Sequence, residues 1–438
     1  MQPHAVECLE RSLKTEVTEL AIVGAEPVFR DVVHVGRPNI GDRQRLWQRI
    51  NDLLDRRWLT NNGQYVQEFE RQVAERVGVR HCVAVSNGTL ALEIAIRALG
   101  LSGEVIVPSF TFVATVHALQ WQGITPVFCD VNPSTHRMDF RRVEERITSR
   151  TTGILGVHLW GGACSIDELT EIAHRRKLTL LFDAAPAFGS SYKGRMIGNF
   201  GQAEIFSFHA TKFVNALEGG AVVTNDDELA TRMRFIRNLG FRDIDDVVCV
   251  GTNAKMNEVS AAMGLTGLES MDDFIAINYR HYQHYRRELA DIPGITLLPF
   301  SDQEQCNYQY IVVEVDQSRA GLSRNDLVRI LNAENVRTRR YFFPGCHRMV
   351  PYRELYPEAG RFLPETERLT ECVMCLPTGS TLRSEDIAAI CQIMRLAVAH
   401  AADLGAVLSK NCVDVRLHLM EEASVPTLVE PHGQNELL

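Results

Sequence analysis

No run in this 438-residue chain approaches the roughly 20 consecutive apolar residues that span a bilayer, so no membrane partner is expected. The N-terminus, MQPHAVECLERSLKTEV, carries acids and no apolar core, which argues against a secretory signal. A basic stripe is also missing. The formal charge of −9 is spread along the chain, and nucleic acid is not expected as a partner. Metal-ligand spacing is scarce: Cys372 and Cys375 form a C-x-x-C, but no second pair or histidine pair follows at zinc spacing, so no metal is expected. Most of the eleven cysteines, Cys82, Cys129, Cys372 and Cys391 among them, sit in apolar patterns where Cys acts as a small hydrophobe. Reduced thiols fit the cytoplasm. The chain shows no internal repeat and no low-complexity tract.

What is present is a globular composition, 45% apolar, in a length suited to two or three domains. Residues 1–30 read as a loosely ordered extension. A large domain over 31–289 begins with a helical arm, Asp42 to Arg56, with Leu46, Ile50, Leu53 and Leu54 on one face. From about Arg80, short apolar strands alternate with amphipathic helices. The strand-like runs are His81–Val85, Glu104–Val107, Pro126–Val131, Gly153–His158, Leu178–Asp183, Glu204–Phe208 and Ala221–Thr224. Helices are predicted over Thr89–Leu99 and after Ser165, where Ser165 and Glu168 have the spacing of a capping box. This alternation predicts an α/β domain with a mostly parallel seven-stranded sheet flanked by helices. Residues 290–408 read as a smaller α+β domain, with a strand over Tyr308–Val315 and helices near Arg324–Asn335 and from Ser384. The polar stretch 409–438 reads as a mobile tail.

Ligands in α/β sheets gather beyond the carboxyl ends of the strands. Three such ends carry suggestive groups. Ser86-Asn87-Gly88-Thr89 opens a helix whose free N–H groups suit a phosphate, although a plain cap explains the motif too. Asp183 ends an apolar strand, where a carboxylate needs a cation or several donors; an N-cap is the alternative. Lys212 follows another strand, in SFHATK. A lysine with apolar surroundings can act as an amine nucleophile, and a surface lysine is the plainer reading.

Taken together, these elements resemble a known family. The run DAAPAFGSSYKGRMIGNFGQAEIFSFHATKFVNALEGGAVVTND closely resembles sugar aminotransferases of the DegT/StrS type, on the aspartate aminotransferase fold (fold type I of the pyridoxal-phosphate enzymes). GQYVQEFE, SNGTLALEIAIRALG, EVIVPSFTFVAT, PVFCDVNPSTHRMD and GTNAKMNEVSAAMG extend the match to roughly residues 34–398. The resemblance implies pyridoxal 5'-phosphate held as a covalent Schiff base on Lys212. It implies that Asp183 pairs with the ring nitrogen and that Gly88, Thr89 and Ser207 form the phosphate cup. Phe112 matches an aromatic that stacks on the ring, with a core phenylalanine on a strand as the alternative. Asn253 matches an asparagine reaching the phosphate from a partner subunit, which implies a homodimer with shared active sites. One position departs: the third residue after the aspartate, usually histidine or glutamine, is Pro186, without a side-chain polar group.

The implied activity is transfer of an amino group from L-glutamate or L-glutamine to a nucleotide-linked keto-deoxysugar. The alternatives are a cyclitol or other non-nucleotide ketone, a sugar dehydratase, or a non-catalytic regulatory protein. Candidate substrate contacts are His158, His209 and His347, which also read as structural histidines. Arg339, Arg340 and Tyr341 form a basic–aromatic cluster that could meet a diphosphate or simply be solvated.

Overall fold

The computed structural model describes residues 13–409. Its centre is a seven-stranded sheet made of β1 (His81–Val85), β2 (Glu104–Pro108), β3 (Thr125–Cys129), β4 (Thr151–Val157), β5 (Thr179–Asp183), β6 (Ala203–Ser207) and β7 (Gly220–Thr224). The order is β1-β7-β6-β5-β4-β2-β3, and β7 alone runs antiparallel to its neighbours. All seven expected strands are present, shifted by a few residues at their ends. The strands are apolar on both faces because helices cover both, burying Val83, Val105, Leu155, Leu181 and Ile205 on one side and Ala84, Ile106, Ile154, Leu180 and Phe206 on the other.

The helices that position the site are α1 (Arg43–Arg56), α2 (Gln64–Val77), α3 (Gly88–Ala98), α4 (Val113–Gln120) and α5 (Ile166–Arg176). Asp42 caps α1, accepting from the Gln44 and Arg45 N–H groups. At α5 the expected capping box does not form. Ser165 occupies the N-cap with ψ 71, away from the extended cap conformation, and its side chain makes no capping bond.

The smaller domain has a three-stranded antiparallel sheet, β8 (Ile295–Leu297), β9 (Ile311–Val315) and β10 (Val373–Leu376), in the order β8-β9-β10. Two of its helices, Arg324–Ala333 and Ser384–Ala399, agree with expectation. The described part of the N-terminal extension departs from it. Residues 13–30 are docked, not loose: Leu20 and Phe29 are fully buried in the small domain's core, and Val33–His34 pairs in parallel with Val336–Arg337. The buried Glu334 holds this arm, accepting from Lys14 Nζ, the Ala21 N–H (2.7 Å) and the Val28 N–H (2.7 Å). At the other end, the tail expected over 409–438 lies, beyond Ser409, outside the described residues. No single helix among the described residues is long and apolar enough to cross a membrane.

Candidate active site

The carboxyl ends of β5 and β6 and the start of α3 converge on one cleft. Asp183, the last residue of β5, is 5% exposed. Its Oδ2 accepts from the Thr115 hydroxyl at 2.8 Å and its Oδ1 from the Ala185 N–H at 3.0 Å. Burial pushes its pKa up, against the pull of the Ala185 N–H, the Thr115 hydroxyl and the charge of Lys212. Among the described residues no cationic side chain forms an ion pair with it, so a buried carboxylate here faces the cleft with two neutral donors.

Lys212 lies in the loop after β6, its own N–H bonded to the His209 carbonyl at 2.8 Å. The side chain keeps some exposure along the cleft. Its Nζ donates to the Tyr310 hydroxyl at 3.1 Å. Burial holds the Lys212 pKa below the ordinary value, partly offset by Tyr341 and Asp183. An amine of that kind is a better nucleophile and base near neutral pH than a solvated lysine.

Gly88 opens α3 with Asn87 as its N-cap, Asn87 Oδ1 accepting from the Leu90 N–H at 2.9 Å. The Gly88 and Thr89 N–H groups have no protein acceptor among the described residues. A Cβ at Gly88 would lie 3.0 Å from Ser207 Cβ and 3.2 Å from Ser207 Oγ, so glycine lets the helix start press against the end of β6. The three expected cup residues therefore meet at one helix N-terminus, a geometry suited to an anion. Phe112 is not a core phenylalanine on a strand. It precedes α4 as its N-cap residue and is 49% exposed, a large apolar ring held in the open.

Pro186 is buried in the turn beyond Asp183, and its carbonyl accepts from Asn307 Nδ2 (2.8 Å) and Gln309 Nε2 (3.2 Å). Gln309 Oε1 in turn accepts from the Phe213 N–H at 3.2 Å. One small-domain amide thus ties the Asp183 turn to the Lys212 loop.

The other expected contacts separate. His158 is fully buried beneath the sheet end. The Cys164 N–H donates to its Nδ1 (3.1 Å), its Nε2 lies 3.0 Å from Glu204 Oε2, and its ring stacks on Phe182. His347 is likewise buried, between Ser109 Oγ (2.7 Å) and Glu367 (2.8 Å), joining the two domains. Both histidines spend their ring nitrogens on protein partners, so neither is retained as a substrate contact. His209 supports the Lys212 loop, with Nδ1 2.8 Å from Thr211 Oγ1. The basic–aromatic cluster splits. Arg339 lies over the Tyr341 ring (5.2 Å), which itself meets Tyr310 edge-on, whereas Arg340 is exposed over Phe343 and bonded to Asn325. Asn253 is exposed, its Oδ1 accepting from Lys255 Nζ at 2.6 Å. Beside it runs a hairpin, Phe241–Asp243 paired with Asp246–Val247, that exposes Ile244 and Val247, and Val250 is exposed just after it.

Sequence reasoning missed Thr115, Gln309, Tyr310 and Trp160. Trp160 is fully buried, stacks on Phe342 (5.1 Å) and meets Tyr310 edge-on (5.5 Å), forming the wall behind the Lys212 amine. None of the four carries a signal of its own. Thr115 ends the quoted stretch EVIVPSFTFVAT, and only that membership could have drawn attention to it.

Comparisons with known proteins give the family and the fold. A model of the DegT/DnrJ/EryC1/StrS aminotransferase family matches residues 41–395. The dTDP-4-amino-4,6-dideoxy-D-glucose transaminase of Shigella dysenteriae is 35% identical over 372 residues, 84% of this chain and 99% of that protein. The GDP-perosamine synthase of Escherichia coli O157:H7 is 35% identical over 370 residues, 82% of this chain and 97% of that one. Among solved structures, DesI, whose crystal structure was analysed in the presence of its TDP-sugar product, matches with a TM-score of 0.85 at 46% identity. The match covers 89% of this chain and 98% of DesI.

Proposed function

This chain belongs to the DegT/DnrJ/EryC1/StrS aminotransferase family and is a pyridoxal-phosphate-dependent aminotransferase, and we propose that it moves an amino group from L-glutamate or L-glutamine to the keto carbon of a nucleotide-linked keto-deoxysugar. The observation that carries the reading is the meeting of a half-buried lysine amine, a buried carboxylate without a cation and a glycine-led helix start in one cleft. The substrate class rests on the relatives, whose names carry dTDP- and GDP-linked sugars.

The residues present fit the cofactor. The unpaired Asp183 is suited to the ring nitrogen, the Gly88 and Thr89 N–H groups with Ser207 to the phosphate, the exposed Phe112 ring to the aromatic face, and Lys212 to the covalent link. When bound, the cofactor supplies a carbonyl for the amine and an electron-withdrawing cationic ring. Lys212 Nζ, once free, would carry a proton between the carbon bearing the nitrogen and the cofactor's exocyclic carbon, in one direction in the first half-reaction and in the other direction in the second. Burial lowers its pKa, which favours the neutral, basic form relative to a solvated lysine. Thr115 and the Ala185 N–H fix the plane of Asp183, and the cofactor's cationic ring would compensate the burial of its carboxylate. Trp160 and the Tyr310–Tyr341 pair exclude water behind the amine.

We place the enzyme in the cytoplasm as a homodimer that shares its sites. The exposed Asn253, next to an apolar hairpin with no cover in one chain, supports the reading that it serves the partner's phosphate cup.

The test begins by converting the protein to its pyridoxamine form with glutamate. Keto-sugar nucleotides carrying dTDP or GDP are then offered, alongside cyclitol ketones. Return of the aldehyde-form spectrum with a sugar nucleotide is expected, as is a borohydride-fixed adduct on Lys212 by mass spectrometry. Return with cyclitol ketones alone would overturn the substrate class, and an adduct on another lysine would overturn the site.

A further inference from the structure

The Tyr310 hydroxyl is the small domain's hydrogen-bond contact with the Lys212 amine. It comes from the small domain, at the entry to β9, and its residue is 9% exposed. Buried tyrosine hydroxyls nearly always find a polar partner. Among the described residues this one has a single partner, Lys212 Nζ at 3.1 Å. The ring is held by Trp160 at 5.5 Å and Tyr341 at 5.9 Å, so the hydroxyl cannot swing away without repacking that wall.

We propose that Tyr310 is a positioning residue for Lys212: its hydroxyl holds the freed amine in place and sets how readily it takes up a proton. The proposal rests on Lys212 being the cofactor lysine. A phenol hydroxyl accepts from an ammonium and donates to a neutral amine, so it serves both states of a base that must alternate between them. The bond to the charged state is the stronger of the two, which offsets part of the burial that depresses the Lys212 pKa. Other groups facing the amine are Asp183 at the end of β5 and Tyr341 beside Tyr310, with Arg339 and Cys375 behind the tyrosines. None of these is within hydrogen-bond reach of Lys212 Nζ in the structure. The Tyr310 hydroxyl also crosses the domain boundary, so the base is tuned only when the small domain is seated.

The experiment uses full-length protein freed of cofactor and treated with acetic anhydride over a range of pH. Labelling at Lys212 is read by peptide mass spectrometry, with the exposed Lys177 as reference. Tyr310→Phe removes only the hydroxyl. Its Lys212 midpoint should fall by roughly half to one pH unit, the difference between charged and neutral hydrogen bonds, while Lys177 stays put. Tyr310→Met serves if the phenylalanine variant fails to fold and should shift the same way. An unmoved or raised Lys212 midpoint in a folded variant would overturn the proposal. Because the readout needs no cofactor, that failure is separable from a failure of the Lys212 assignment, which the borohydride adduct decides.

Discussion

The N-terminal arm gives the sharpest test of how the small domain is built. Phe29 and Leu20 are fully buried against it, and a Phe→Ala change at such a site costs ~3–5 kcal/mol when the surroundings cannot collapse. That figure has a ceiling here. The arm is a surface strap, and once it lifts off, further damage to its side chains costs nothing more. Loss of Phe29 can therefore destabilise by no more than the net free energy of docking. On release, water reaches Glu334, which loses Lys14 and the Ala21 and Val28 N–H groups together. Phe29→Ala should thus open the arm without unfolding the chain. Hydrogen exchange is the suitable assay, because a two-domain chain need not melt in one step. The Ala21 and Val28 amides should lose protection by about a hundredfold for ~3 kcal/mol of docking energy, with a smaller loss in Arg324–Ala333, the helix leading to Glu334. Truncation before residue 31 should weaken the small domain to a similar degree, and the double change Leu20→Ala, Phe29→Ala should be no worse than truncation. Unchanged protection in Phe29→Ala, together with a truncated protein that melts like the full chain, would refute the reading of the arm as a structural element.

Two further outcomes follow from the site and from the small domain. Lys212→Ala and Asn253→Ala proteins, each inactive or markedly impaired alone, should regain activity when mixed, because a mixed dimer contains one site with both defects and one intact; no recovery despite demonstrated subunit exchange would put Asn253 in its own chain's site. His281 is buried, with its pKa lowered to about 4 by burial and by Arg280 and His284. Since the unfolded chain protonates this histidine at about 6.5, stability should fall as pH drops from about 6.5 toward about 4, by up to ~3 kcal/mol. Denaturant midpoints should show this fall in the parent and a flatter profile in His281→Gln, and equal slopes would count against it.

The large domain was legible because its information is local. Each strand is a short apolar run bounded by polar residues, and the chemistry sits where those runs stop, at Asp183, Ser207 and the Asn87-Gly88 turn. The arm was not legible: Leu20 and Phe29 stand nine positions apart in a mixed stretch with no period, and their burial depends on Glu334, more than 300 residues away. The Ser165–Glu168 spacing misled because a capping box needs an extended N-cap as well as the right residues. The run from Tyr308 reads as strand, yet pairing starts only at Ile311. Tyr308 sits at φ 49, and the bend there turns Asn307, Gln309 and Tyr310 toward the large domain instead of into the ladder.

That bend explains how the departure at Pro186 can be accommodated. Proline has no side-chain donor and no N–H, so its carbonyl is its one polar handle, and that handle is taken by Asn307 and Gln309 together. Asn307 also donates to the Phe188 carbonyl at 3.1 Å, so the whole turn after Asp183 is gripped from the small domain. Gln309 carries the grip across to Phe213, and Tyr310, the next residue, ends on the Lys212 amine. Contacts from Asn307, Gln309 and Tyr310 to partners about a hundred positions away leave no trace in any local motif. They nonetheless bind the turn holding the carboxylate and the loop holding the lysine to the same four-residue bend, so the relative placement of the two depends on the seating of the small domain as much as on the sheet that carries them.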